Sequence, residues 1–283
     1  MPAPRKPQTD RPGGAPAPDA PKGGKARKPT WVIEKERAKR AAAAETVWLF
    51  GLHAVRDALS NPRRERLQLV LTRNAADRLG PLPDDLTPQI VDARSFDKYV
   101  PLAAESVHQG AALEVRPLRW GSIDDIITAP GGPLVVALDR VSDPHNVGAI
   151  LRSAEVFGAR AVIGTNRHAA PESGALAKTA SGALERQPYL RVTNLADALE
   201  RLKNAGFVCI GLDGEAPHDL PTLLDDLGTR PVCLVLGAEG PGLRDKTRET
   251  CDYLARIPFA ADFGSLNVSN AAAVALYAVT RRG

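Results

Sequence analysis

The sequence predicts an α/β protein: a parallel sheet covered on both faces in the C-terminal half, a smaller α/β unit before it, and a basic N-terminal tail. Three observations carry this reading. Short continuous apolar runs recur from residue 133 onward, with helical patterns between most of them. Strand-like and helix-like stretches also alternate, more weakly, over residues 45–117. The first 44 residues hold 11 Lys/Arg against 4 Asp/Glu, while the other 239 hold 26 against 29. The whole positive excess of the chain therefore sits in its tail.

That tail begins MPAPRKPQTDRPGGAPAPDAPKGGKARKPT, rich in Pro and Gly with almost nothing to bury. Residues 1–44 are expected to be disordered, with a helix possible over WVIEKERAKRAAAAE at 31–45. A basic arm of this kind suits a polyanion through counterion release; the alternative is a solubilising extension with no partner.

The small unit opens at VWLFGLHAVRDAL. Ala54, Val55, Ala58 and Leu59 recur at helical spacing, and Asn61-Pro62 stops the run. LQLVLT at 67–72, QIVDA at 89–93 and GAALEVRP at 110–117 read as strands, and RNAADRLGPL as helix or loop. RWGSIDDIITAPGGP ends in Pro and Gly, so 118–132 is expected to be a linker.

Beyond the linker, 133–283 carries five apolar runs: PLVVALD at 133–139, ARAVIGT at 159–165, FVCIGLD at 207–213, PVCLVLG at 231–237 and YLARIPF at 253–259. Helices are expected over 146–157, 172–184, 195–205 and 242–250. Runs that are apolar at every position mark strands buried on both faces, the habit of parallel sheets. In such sheets ligands bind at the carboxyl ends of the strands. The loops there are DRVSDPHN, LDGEAP, LGAEGPG and SLNVSN, so four polar stretches are expected on one edge.

Composition narrows the chemistry. No apolar run approaches the ~18 residues of a membrane span, and no apolar region follows the N-terminal charges as in a signal peptide. Cys209, Cys233 and Cys251 show no CxxC pairing and are expected as small core residues of a cytoplasmic protein. His53, His108, His145, His168 and His218 are scattered without metal spacing, so no metal site is expected. LGAEGPGL is G-x-x-G-x-G rather than a dinucleotide fingerprint, and no Walker motif occurs. Its glycines still let backbone approach a ligand closely.

Two helices begin with unusual polar residues. In DRVSDPHNVGAILRSAEVFGA, Val147, Ile150, Leu151, Ala154 and Phe157 form an inward face, with Asp143 or Asn146 as cap. Arg152 lies beside that stripe, where pairing with Glu155 is the plain alternative to a functional role. In SLNVSNAAAVALYAV, Ala271, Val274, Ala275 and Ala278 fall at helical spacing. Ser265, Asn267, Ser269 and Asn270 crowd against that helix start. Capping by Ser269 or Asn270 needs one such residue, not four.

Three polar motifs therefore follow one another: N-x(5)-R from Asn146 to Arg152, L-G-A-E-G-x-G around Glu239, and I-P…S-L-N-V-S-N-A from Ile257. In this order they resemble the signature motifs of the SpoU (TrmH) family, RNA 2'-O-ribose methyltransferases of the trefoil-knotted SPOUT superfamily. The resemblance spans about 133–283. Residues 47–117 resemble, less specifically, the substrate-binding domain of family members acting on 23S ribosomal RNA and ribosomal proteins that bind folded RNA.

The resemblance implies a trefoil-knotted methyltransferase domain, S-adenosyl-L-methionine as cofactor, an RNA substrate and a homodimer. It assigns Arg152, Asn146, Glu239, Ser265 and Asn267 to catalysis. Leu212, Gly237, Ile257 and Leu266 match its cofactor-binding positions. Asn146 and Glu239 would orient Arg152 and the nucleotide, and Arg152 would contact the acceptor ribose or its phosphate. Asn270 stands where several relatives carry an aliphatic residue. The alternatives are 2'-O-methylation of transfer RNA and a non-catalytic RNA-binding assembly factor on the same fold.

Overall fold

Alternation within single strands explains the architecture. In Leu134–Asp139, Leu134, Val136 and Leu138 enter one apolar cluster, whereas Val135 and Ala137 enter another on the opposite face. Val232–Gly237 divides the same way, with Val232, Leu234 and Leu236 against Cys233 and Val235. Successive side chains leave a strand on opposite faces, so a run apolar at every position needs cover on both. The computed structural model describes Met1 and residues 46–103, 106–128, 132–259 and 265–282. The tail 1–44 and the helix expected over 31–45 lie outside the described residues.

The small unit contains β1 (Val47–Phe50), α1 (Leu52–Ser60), β2 (Arg66–Thr72), α2 (Arg73–Leu79), β3 (Gln89–Val91), a 3₁₀ turn (Ala93–Lys98) and β4 (Ala111–Val115). Its sheet runs β1-β4-β2-β3 and is mixed, since β4 pairs antiparallel with β1 and β2 while β3 is parallel to β2. The segment expected as a linker carries a helix, α3 (Ile123–Thr128), which buries Ile123 and Ile126 against the second face of the large sheet. Two isoleucines three residues apart were enough to anchor one short turn there.

The large unit contains β5 (Leu134–Asp139), α4 (Pro144–Val156), β6 (Ala161–Thr165), α5 (Gly174–Ala180), β7 (Tyr189–Val192), α6 (Leu195–Asn204), β8 (Val208–Leu212), β9 (His218–Asp219), α7 (Leu220–Leu227), β10 (Val232–Gly237), α8 (Asp245–Thr250), β11 (Tyr253–Arg256) and α9 (Val268–Arg281). Its seven strands, in the order β7-β6-β5-β10-β8-β11-β9, are parallel at every pairing. The five predicted apolar runs are β5, β6, β8, β10 and β11. The sequence reading passed over β7, β9 and α7, which are short or begin beside Pro. The helix expected over 172–184 stops at Ala180, followed by a 3₁₀ turn at Ala183–Glu185.

Two local expectations are corrected. Val274 is 43% exposed, because the buried stripe of α9 is Val268, Ala272, Ala275, Leu276 and Val279, one step away from the stripe read in sequence. The cap of α9 is Asn267, whose side chain accepts from Ser269 N, and not Ser269 or Asn270. Asp143 caps α4 with Pro144 in its first turn, one of the two options anticipated. All three cysteines are free, and burial pushes the Cys251 thiol up to about 12. No described helix is long and apolar enough to cross a membrane.

The two sheets share one apolar cluster, from Leu49 of β1 to Val279 of α9. A Cβ on Gly174 would stand 2.3 Å from the Phe50 ring and 2.5 Å from Trp48 O, so β1 lies directly on the start of α5. Beside this contact Arg64 is fully buried, giving Nη2 to Glu185 at 2.6 Å, Nη1 to Glu172 at 3.2 Å and Nη1 to Arg116 O at 2.8 Å. Asn61 Nδ2 also donates to Glu185 at 2.8 Å, and Leu118 N to Glu172 at 3.1 Å. Burial holds the Glu172 carboxyl above its ordinary range despite the guanidinium. Removing one partner of a buried ion cluster leaves unpaired charge in a poor solvent. Arg64→Ala is therefore expected to cost about 3–5 kcal/mol in urea unfolding, with the small sheet losing amide-exchange protection first.

Candidate active site

The carboxyl ends of β5, β8, β10 and β11 bring the four expected polar stretches to one edge. Asp139, the last residue of β5, pairs in register with Gly237, the last of β10. Asp139 is fully buried and accepts from Arg244 N at 2.9 Å and Arg244 Nε at 2.7 Å. This pins the far end of the glycine turn to the neighbouring strand. Within the turn, Gly242 N donates to Ala238 O at 2.9 Å, and Gly240 and Gly242 have φ of 83° and 66°. A Cβ on Gly237 would lie 2.2 Å from the carbonyl carbon of Gly242, so the turn folds back onto a position where only glycine fits.

The fold-back presents Glu239 at the tip. Its Oε1 accepts from Asn267 Nδ2 at 2.5 Å, Asn146 Nδ2 at 3.1 Å and Val268 N at 3.4 Å. Asn267 Nδ2 also donates to Asn146 Oδ1 at 3.0 Å, while Asn267 Oδ1 accepts from Ser269 N at 2.9 Å and Ser269 Oγ at 2.5 Å. One carboxylate thus joins the starts of α4 and α9 to the β10 turn. A carboxylate near two helix N-termini is also favoured by their dipoles. Of the polar crowd around the start of α9, Asn267 and Ser269 enter the network and the cap, Ser265 lies nearby, and Asn270 is exposed.

Beside the network opens a pocket of about 720 Å³. Leu212, Gly237, Glu239, Ile257, Ser265, Leu266 and Asn267 all line it. Seven of the nine expected site residues therefore meet in one cavity, and Asn146 is tied to its wall through Glu239. Arg152 is not among them. It is exposed and has no hydrogen-bond or ion-pair partner among the described residues, so the expected contact with Asn146 and Glu239 is absent within this chain. Six residues along a helix turn a side chain by about 240°, which sends Arg152 off the face that carries Asn146. Nor does it pair with Glu155, whose carboxylate goes to Arg186.

The sequence reading missed three contributors. Arg248 of α8 and Asp213, after β8, form an ion pair at the pocket wall, and Phe259 closes another side. Asp213 also accepts from Glu215 N at 2.9 Å. Arg248 lies in a charged helix with no motif around it, so nothing local distinguishes it. Asp139 was legible only as a polar residue ending an apolar strand. Chemically, the pocket offers apolar walls at Leu212, Ile257 and Leu266, strand-end backbone groups, the Glu239 carboxylate held by two amides, and charged side chains at Asp213, Glu215 and Arg248. That suits a ligand with a flat apolar part and polar or charged groups at its edges.

Comparison with known proteins agrees with this geometry. The model of the SpoU rRNA Methylase family matches residues 133–277. The chain is 38% identical over 241 residues to the 23S rRNA (guanosine-2'-O-)-methyltransferase RlmB of Vibrio vulnificus, covering 83% of this chain and 96% of that one. It is 40% identical over 243 residues to the protein of that name from Photobacterium profundum, covering 83% and 97%. Among solved structures, the SpoU methyltransferase AviRb from Streptomyces viridochromogenes with AdoMet superposes with a TM-score of 0.68 at 27% identity, over 87% of this chain and 93% of that one. An AdoMet-bound rRNA methyltransferase from Sinorhizobium meliloti gives 0.69 at 25% identity, over 89% and 95%.

The tightness of the glycine turn supplies a test that needs no ligand. Gly237→Ala must displace the Gly242 backbone, so a loss of about 1–3 kcal/mol is expected in urea unfolding, as for overpacking elsewhere. A variant as stable as the parent would show that the turn does not rest on Gly237.

Proposed function

The chain belongs to the SpoU rRNA methylase family, and on that premise we propose that it methylates the ribose 2'-hydroxyl of a guanosine in 23S ribosomal RNA, using S-adenosylmethionine. The observation that carries the proposal is the meeting of the three polar motifs at one pocket through the Glu239 carboxylate. The named relatives are matched along the small unit as well as the large one, which favours ribosomal over transfer RNA as substrate.

The residues present fit the cofactor. The cavity of about 720 Å³ falls in the range of small-molecule sites. Leu212, Ile257 and Leu266 would flank the adenine, and the bare Gly237 backbone would meet its polar edge. S-adenosylmethionine, when bound, supplies a methyl group on a sulfonium that is already a good leaving group. The protein's share is then to hold the acceptor in line, where positioning supplies much of the rate.

Asn267, Asn146 and Glu239 form a rigid acceptor wall, since each of the three is hydrogen-bonded to both others. Ser265, on the same wall, would hydrogen-bond the ribose. Arg152 would stabilise the developing alkoxide. A guanidinium holds its protons tightly, which suits it to electrostatic stabilisation better than to proton abstraction. As Arg152 lies outside the pocket of its own chain, our reading includes the two-fold dimer of the family, in which a second copy carries it to the acceptor. Val156 and Tyr277, 72% and 56% exposed near the ends of α4 and α9, offer apolar surface for that contact. The reading also includes the family's trefoil knot within 133–283 and a cytoplasmic location.

Two outcomes follow. Arg152→Ala should abolish methyl transfer to 23S rRNA while leaving S-adenosylmethionine affinity, measured by calorimetry, within a few-fold; equal loss of both would move Arg152 to the donor side. Deleting residues 1–44 removes a net charge of +7. It should flatten the salt dependence of RNA binding and leave the methylated nucleotide, mapped by ribose-methylation sequencing, unchanged.

A further inference from the structure

A second cavity, also of about 720 Å³, opens where the small sheet meets the large one. Arg63, Glu65, Arg116, Pro117, Leu118 and Arg119 line it. Three arginines against one glutamate leave the groove cationic. Glu65 is taken by Arg116 Nε at 3.0 Å. Neither Arg63 nor Arg119 has an ion-pair partner among the described residues, and both are exposed. The Arg63 guanidinium lies 4.1 Å from the Trp120 ring centroid, a cation–π contact.

The groove is also tied to the large unit. Leu118 N donates to Glu172, which lies in the loop leaving the carboxyl end of β6. Neighbouring Arg64 anchors the same glutamate from the other side. A guanidinium offers a planar fork of donors that matches phosphate oxygens.

We propose that this groove is an RNA-phosphate site, in which Arg63 and Arg119 grip the backbone of the substrate. It rests on the methyltransferase reading for the identity of the RNA, and it sets phosphate positioning apart from recognition of the target nucleotide. Arg63, held against Trp120, and Arg119 offer guanidinium groups to neighbouring phosphates of one strand.

The test uses the full-length chain and an unmodified 23S rRNA transcript, with binding measured by filter retention across a salt series. Arg63→Gln/Arg119→Gln should weaken binding at least tenfold at low salt. It should also flatten the slope of log K against log salt by about 1.4, the value for two phosphates on a single strand. The RNA KM should rise while S-adenosylmethionine affinity and Tm stay at wild-type values, and Arg63→Lys/Arg119→Lys should restore much of the binding. Wild-type affinity and slope in the Gln variant would overturn the proposal, as would a matching drop in Tm, which would make the pair structural. A parent chain that methylates no RNA would sink the methyltransferase reading alone, because the groove is read out by binding.

Discussion

The carboxylate of Glu239 is the point on which the active-site edge depends. Its Oε1 receives hydrogen from Asn146, from Asn267 and from the backbone of Val268, residues that stand 93, 28 and 29 positions away in the chain. Without an acceptor there, the side-chain bonding between the starts of α4 and α9 would be reduced to the single Asn267–Asn146 hydrogen bond. The glycine turn exists to deliver that group. Asp139 holds its far end, Gly237 makes room for it to fold back, and two left-handed glycines close the bend.

That arrangement is possible only because the strands beneath it are parallel and in register. β5 and β10 end side by side at Asp139 and Gly237, which places the loop after each at the same level. Parallel strands require crossovers, and the crossovers supply the helices that cover both faces. The same geometry sets the limits of a single chain. Arg152 leaves α4 on another face from Asn146 and stands outside the pocket of its own chain.

The small sheet is attached by chemistry of a different kind. Arg64 sits in a buried cage of two carboxylates and a carbonyl, with Asn61 and Leu118 N completing the bonds. Such a cage adds little net stability over an apolar contact, but it tolerates only one orientation of the two sheets. It therefore fixes the seam where Arg63, Arg116 and Arg119 line the second cavity. Within 118–132, which reads as a spacer, Ile123–Thr128 instead form a helix packed on the large sheet.

Much of this was legible in the amino-acid order alone. Five strands of the large sheet were visible because each lies in a short, mainly apolar run. The site was visible because polar residues followed those runs at Asn146, Glu239 and Asn267. Others were not: β9 has only two residues, and β7 and α7 begin beside Pro188 and Pro221. The stripe of α9 was misread by one step because an alanine-rich helix is apolar nearly all round, so Val274 and Ala272 differ in burial without differing in kind. Sequence also could not choose the partners of charged groups. Glu155 prefers Arg186 over Arg152, Arg248 meets Asp213, and Arg64 meets Glu172 and Glu185, all across long separations. Period and polarity are local properties, so the sequence by itself determined the strands, the edge and the chemical class of the site. Charge pairing and the relative placement of faces depend on which distant segments meet, and only the tertiary structure decided them.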